Sequence, residues 1–126
     1  MKKTLLYVGG TISLLFAIFH LLFWQFCNWQ EELPRLSPGN SGIMQMLNVA
    51  SMYMMLFAAF ISFYLAKKEA FGFTEKAVIV FIAGYYLLRI AFGLPFFGFS
   101  VDEVVIWVFC LIPAACYLLV LHPKKD

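Results

Sequence analysis

Four long stretches of this chain carry almost no charge, and nothing else in the sequence constrains its fold as strongly. Residues 4–27 contain no Asp, Glu, Lys or Arg, and neither do residues 43–66 or 104–121. Residues 77–97 contain one charge, Arg89. A helix rises ~1.5 Å per residue, so ~20 apolar residues cross a hydrocarbon core about 30 Å thick. Backbone groups in lipid must be satisfied within their own segment, which makes these spans helices. No alternation of apolar and polar residues suggests a barrel. The expected fold is all-α: one transmembrane domain over residues 1–126, a four-helix up-down bundle. Composition agrees, since 13% of residues are charged against about 25% in a soluble domain. That balance excludes a disordered chain, a basic-patch nucleic-acid binder and an ordinary cytosolic enzyme.

The opening Met1-Lys2-Lys3 before an apolar run has the outline of a secretory signal. The run exceeds the usual ~7–15-residue signal core and no small-x-small cleavage site follows, so a retained span is expected. Charge then signs the connections. Lys2, Lys3, Lys67, Lys68, Lys76, Lys124 and Lys125 fall on one side. The loops 28–42 and 98–103 hold Glu31, Glu32, Asp102 and Glu103, with Arg35 as their only base. Basic residues mark the cytoplasmic side. Both termini and the inner loop 67–76 are therefore expected in the cytoplasm, in a cytoplasmic (inner) membrane. Within the first outer loop, residues 29–36 can form a short interfacial helix. Residues 37–42 read as a turn, with Asn40 or Ser41 capping the second span. Pro113 is expected to kink the fourth span.

Small and polar residues mark helix contacts in a membrane, because lipid already satisfies Leu and Phe. The first span lines up Gly10, Ser13, Ala17, His20, Trp24 and Cys27 at helical spacing. The second aligns Gln45, Asn48, Met52, Met55, Ala59, Ser62 and Ala66. The third groups Tyr85, Arg89, Phe92 and Phe96, with Tyr86 and Gly93 on the flank, and the fourth offers Trp107, Cys110, Ala114 and Tyr117. By helical rise, His20 lies roughly 10 Å, Asn48 roughly 8 Å and Arg89 roughly 12 Å below the outer surface. Arg89, His20, Asn48, Gln45 and Tyr85 are thus expected at one level of the outer half, with Trp24 and Met52 beside them. The inner half, from Gly10 to Ala66, should be closely packed.

Arg89 is the strongest single signal, since an intramembrane Arg costs ~2.5–3.5 kcal/mol on insertion scales. It reads either as a clamp for a phosphate, carboxylate or carbonyl group, or as one half of an ion pair with Asp102, Glu103, Glu31 or Glu32. His20 reads as a proton carrier, a ligand contact or an interhelical bond to Gln45 or Asn48. Met44, Met46, Met52, Met54 and Met55 crowd the second span, and with His20 and Cys110 they raise copper or haem as an option. Met is also a common adaptable filler. Cys27, Cys110 and Cys116 lack C-x-x-C spacing, and Cys27 is the one placed for an intermolecular bridge. No phosphate loop, H-E-x-x-H or G-x-S-x-G motif is present, and no residue is assigned a catalytic or metal-binding role.

The layout resembles the small bacterial four-helix membrane proteins called DoxX-like. The resemblance rests on Phe19-His20-Leu21-Leu22-Phe23 ending the first helix, Asn40 to Asn48 opening the second, and Gly84-Tyr85-Tyr86-Leu87-Leu88-Arg89 in the third. It implies a four-helix membrane fold and roles that range from quinone-linked redox subunits to assembly helpers, with no catalytic residue carried over.

The leading expectation is a cavity facing the outer leaflet that binds a lipid or quinone-like molecule through Arg89, His20, Asn48, Gln45, Tyr85, Trp24 and Met52. An assembly subunit without a ligand and a haem or copper redox protein are the alternatives. A homo-oligomer or a membrane-protein partner fits the small size. The sequence names no cofactor.

Overall fold

The computed structural model describes residues 1–122. Among these residues every regular element is helical. Helix α1 covers Lys2–Leu21, and two single turns follow, α2 at Phe23–Phe26 and α3 at Trp29–Glu32. A 3₁₀ turn at Leu33–Arg35 leads to α4, Pro38–Leu65. Helix α5 covers Phe73–Phe97 and α6 covers Val101–Leu121. The four long helices, α1, α4, α5 and α6, are each long and apolar enough to cross a membrane, as a multi-pass membrane protein requires.

Helix ends and apolar windows do not coincide. The apolar window 4–27 is not one helix: α1 stops at Leu22, whose backbone leaves helical geometry. Asn28 then takes a left-handed conformation, φ 50°, which Asn tolerates better than most residues. That reversal sends the chain back over the end of the bundle. Helix α4 starts earlier than its apolar window. Ser37, rather than Asn40 or Ser41, is its cap, its Oγ accepting from the Asn40 N–H at 3.3 Å. Pro38 sits in the first turn, where its missing N–H costs nothing. The residues expected to form a turn are thus the first turn of α4. Helix α5 also begins early, and Glu75 reaches back to accept from the Gly72 N–H at 3.0 Å. Ser100 caps α6, accepting from the Glu103 N–H at 3.1 Å. This places Asp102 and Glu103 inside the helix, and α6 continues unbroken through Pro113.

Three seams hold the bundle: α1 on α4, α5 on α6, and α1 on α6. No comparable seam joins α4 to α5. The two faces of α1 explain its central place. Gly10 lets α4 approach so closely that a Cβ there would stand 2.9 Å from Ser62 Cβ and Phe63 Cε1. Gly9 faces the Tyr117 ring of α6, 3.0 Å from the site of a Cβ. Small residues at such crossings let backbones approach, and dispersion contacts then replace lipid contacts.

The half of the bundle around these crossings is close-packed. Leu6, Ala58, Ile79, Ile82, Ala83, Ala114 and Val120 are all buried. So are Gly10, Ser13, Ala17, Ala59, Ser62 and Ala66, as the spacing of small residues predicts. At its centre lies a hydroxyl cluster drawn from all four long helices. Ser13 Oγ and Ser62 Oγ lie 3.0 and 2.9 Å from Tyr117 Oη, and Tyr86 Oη donates to Ser13 Oγ at 2.8 Å. Ser13 and Ser62 also donate back to the carbonyls of Gly9 and Ala58. Every hydroxyl there has a partner, so the cluster joins helices instead of leaving polar atoms in hydrocarbon. Tyr117→Phe is expected to lower stability by about 0.5–1.5 kcal/mol, the net worth of such bonds. Reversible denaturation in mixed micelles checks it; an unchanged midpoint would mean the cluster contributes nothing.

The inward face of α5 differs from the expected one. Tyr86 and Gly93 are buried, while Phe92 and Phe96 are 50% and 74% exposed. The face is set by Ile79, Ile82, Ala83, Tyr86 and Gly93, which recur at three- and four-residue spacing. Phe92 and Phe96 stack on each other at 5.7 Å on the outside, where lipid satisfies them.

The opposite end gathers the lysines. Lys68 pairs with Glu75 and lies over the Tyr64 ring at 5.2 Å, and Lys2 lies over the Phe71 ring at 5.9 Å. The Glu75 carboxylate holds the Lys68 ammonium above the ordinary lysine value by a direct hydrogen bond. Lys124 and Lys125 lie outside the described residues.

Candidate functional site

The missing seam between α4 and α5 leaves a cavity of about 820 Å³ at the end opposite the lysines. Its size is in the range of small-molecule sites, about 300–1,000 Å³. All four long helices and the 28–37 connection contribute to it. The walls are mostly apolar and aromatic: Phe16, Phe19, Phe23, Leu47, Met55 and Phe97 among them. The polar side chains lining it are few and come from different helices. His20 comes from α1, Asn48 and Ser51 from α4, Tyr85 and Arg89 from α5, Ser100, Asp102 and Glu103 from the start of α6, and Glu32 from the 28–37 connection.

His20 and Asn48 form a reciprocal pair that ties α1 to α4. His20 Nδ1 lies 2.6 Å from Asn48 Oδ1, and Asn48 Nδ2 donates to the His20 carbonyl at 3.0 Å. The imidazole stacks on the Phe23 ring at 4.4 Å, nearly parallel. Phe23 stands three residues beyond His20, in the single turn after the break at Leu22. The histidine is held on two sides before any ligand arrives.

Arg89 is paired with Glu103. Its two terminal nitrogens grip the two carboxylate oxygens, with Nη2 to Oε2 at 2.9 Å. Such bidentate pairs are the strong form of this contact. Trp107 Nε1 donates to the same carboxylate at 2.9 Å, and Phe97 lies under the guanidinium at 4.8 Å. Glu103 is only 4% exposed, so its charge is compensated by Arg89 and Trp107 rather than by water. Gly93 makes the arrangement possible. A Cβ there would overlap Glu103 Oε1 and stand 2.5 Å from Trp107 Nε1 and 2.7 Å from Arg89 Nη1.

Of the residues expected at the site, Arg89, His20, Asn48 and Tyr85 line one cavity. Gln45, Trp24 and Met52 do not. Gln45 lies one turn nearer the helix start, where Nε2 donates to the Ser41 carbonyl and hydroxyl at 3.2 and 3.3 Å. Trp24 is turned outward by the break at Leu22 and packs edge-on against Trp29 at 6.2 Å. Both border a separate shallow cleft of about 250 Å³ on the surface. Met52 lines neither space. The methionines spread around α4: Met44 and Met55 line the cavity, whereas Met46 is 70% exposed. Among the described residues no three His, Cys, Asp or Glu side chains are placed to hold a metal ion.

Ser51 was not expected at the site, whereas Glu103 was one of four carboxylates offered to Arg89, and Tyr86 and Gly93 were placed on the flank of the third span. Glu103 had a legible signal: Ser100-x-x-Glu103 is a helix-start pattern, which moves the carboxylate from a loop into α6. Its side chain does not return to the cap as that pattern would have it; Arg89 takes it instead. Gly93 stands one turn beyond Arg89, a spacing that marks a close approach to that side chain. Cys27, exposed yet bordering the cavity, has its thiol raised above the usual value by partial burial.

The mouth is more acidic than basic. Glu32, Asp102 and Glu103 line the cavity against one guanidinium, and Glu32 pairs outward with Arg35 at 3.0 Å. The cavity is therefore an apolar-walled space with a small polar head end, and its one intramembrane cation is already neutralised. No family model matches the chain, and no curated protein or solved structure matches it.

Proposed function

We propose that this chain is a small multi-pass protein of the cytoplasmic (inner) membrane that binds an amphiphilic molecule, a lipid or a quinone-like compound. The bundle runs up and down with both termini in the cytoplasm, because Lys2, Lys3, Lys67, Lys68 and Lys76 cluster at one end and the acidic connections at the other. The cavity then lies in the outer half of the bundle. One observation carries the reading: His20, Asn48, Tyr85 and Arg89, drawn from three helices, line a single apolar-walled space of about 820 Å³. Packing alone does not require such a space, since the other half of the same bundle is close-packed. The DoxX-like resemblance is compatible with this role and supplies no residue assignments.

The gap between α4 and α5 supplies a lateral entry for the tail, and the polar end orients the head. A binding or carrier role fits better than turnover, because His20 is hydrogen-bonded to the Asn48 amide and not to an acid or a nucleophile.

Native mass spectrometry of the purified protein tests the reading. The wild type is expected to retain an amphiphile-sized mass. Ser51→Phe, which fills the cavity from α4 and keeps the His20, Asn48, Arg89 and Glu103 side chains, is expected to lose it. A mass retained equally by both proteins, or by neither, would sink the proposal.

A further inference from the structure

We infer that the cavity selects an uncharged head carrying a hydroxyl group, with His20 Nε2 accepting its hydrogen bond. This rests on the cavity reading above and narrows it to a ligand class.

The argument starts at Asn48. Its Nδ2 donates to the His20 backbone carbonyl, which can only accept. That assigns the two ends of the amide from the hydrogen-bond network, so the end facing His20 Nδ1 is the oxygen. An amide oxygen only accepts, so Nδ1 must be the donor and carry the proton. A neutral imidazole has one donor and one acceptor nitrogen. Nε2 therefore presents a lone pair. It has no partner among the described residues, and no fully buried side-chain nitrogen is left without one. Nε2 thus reaches open space, and the open space beside His20 is the cavity. A lone pair there calls for a donor, and a hydroxyl is the smallest uncharged donor an amphiphile carries.

The same geometry rejects anions. Both terminal nitrogens of Arg89 are engaged by Glu103, and Asp102 adds a further carboxylate to the lining. A phosphate or carboxylate head would have to displace Glu103, leaving a buried charge without its partner, a costly exchange. The guanidinium edge not engaged by Glu103 remains a donor for a second oxygen of a neutral head. Aromatic walls from Phe19, Phe23 and Phe97 flank that position.

Competition read by native mass spectrometry tests this, in a detergent without hydroxyl groups. The probes are 4-dodecylphenol and 1,2-dioctanoylglycerol, each mixed equally with its own O-methyl ether, and dodecyl phosphate added separately. For at least one pair, the hydroxyl form is expected to bind about tenfold over its ether, and dodecyl phosphate not to compete. The preferred pair distinguishes a phenolic ligand from a glycerolipid. In His20→Phe, binding of the hydroxyl form is expected to fall to the level of its ether. Equal binding of alcohol and ether, preference for dodecyl phosphate, or a preference that survives His20→Phe would each overturn the hydroxyl assignment and leave the cavity reading standing. Binding of no probe at all would remove both.

Discussion

Glu103→Leu is expected to destabilise the protein by about 3–5 kcal/mol, the range for removing one partner of a buried ion pair. The carboxylate is almost fully buried and takes three donors, two from Arg89 and one from Trp107. Its removal leaves the guanidinium in an apolar wall and the indole N–H without an acceptor. Arg89 is partly open to the cavity, its side chain 30% exposed, so water entering there holds the loss toward the lower end. The decisive comparison is the double variant. Arg89→Leu with Glu103→Leu removes both charges, and replacing a whole buried pair by apolar groups is often neutral. The double variant is expected to be more stable than Glu103→Leu alone. Reversible unfolding in mixed micelles measures all three; a double variant as damaged as the sum of the singles would show that the pair is not the coupled unit described.

The second large effect is expected at Gly93. Gly93→Ala adds one methyl group, and in an exposed helix that change would gain up to about 1 kcal/mol. Here the methyl would overlap Glu103 Oε1 and crowd Trp107 Nε1 and Arg89 Nη1. The carboxylate cannot move aside, because both its oxygens are held. A net loss of about 1–3 kcal/mol is expected, as for overpacking. Gly84 on the same helix is the control, since nothing stands within 4 Å of a Cβ there. Gly84→Ala is expected to be neutral or slightly stabilising. The same unfolding measurement checks both, and equal effects at the two glycines would contradict the packing described.

These two sites show how far the sequence could be read. An Arg in the middle of an apolar span demands a partner, and the nearby acidic residues were legible as four candidates. Choosing Glu103 depended on where α6 begins. Moving that start back to Val101 turns Glu103 from a loop residue into the first turn of a helix packed on α5. The inward stripe of α4 and the small residues of α1 were equally legible, because helical periodicity holds while the helix is straight. Periodicity failed where the helix did. Trp24 and Cys27 share a face with His20 only if the first helix continues past Leu22, and it stops there. On α5 the polar and aromatic residues drew attention to Phe92 and Phe96. Lipid tolerates aromatic rings, so the buried face is marked instead by the smaller and branched side chains around Tyr86.

What the sequence determined by itself is the solvent of each segment: long uncharged runs belong in hydrocarbon, and the lysines gather at one end of them. Those are properties of composition along a line, and transfer energies act on them residue by residue. What only the tertiary structure decided is which polar groups meet. The Arg89–Glu103–Trp107 contact, the hydroxyl cluster around Tyr117 and the orientation of the Asn48 amide against His20 each join different helices. Their geometry depends on helix ends and close glycine crossings, shifts of a few ångströms that no linear pattern records. The proposed choice of head group rests on one such hydrogen bond, between His20 and Asn48.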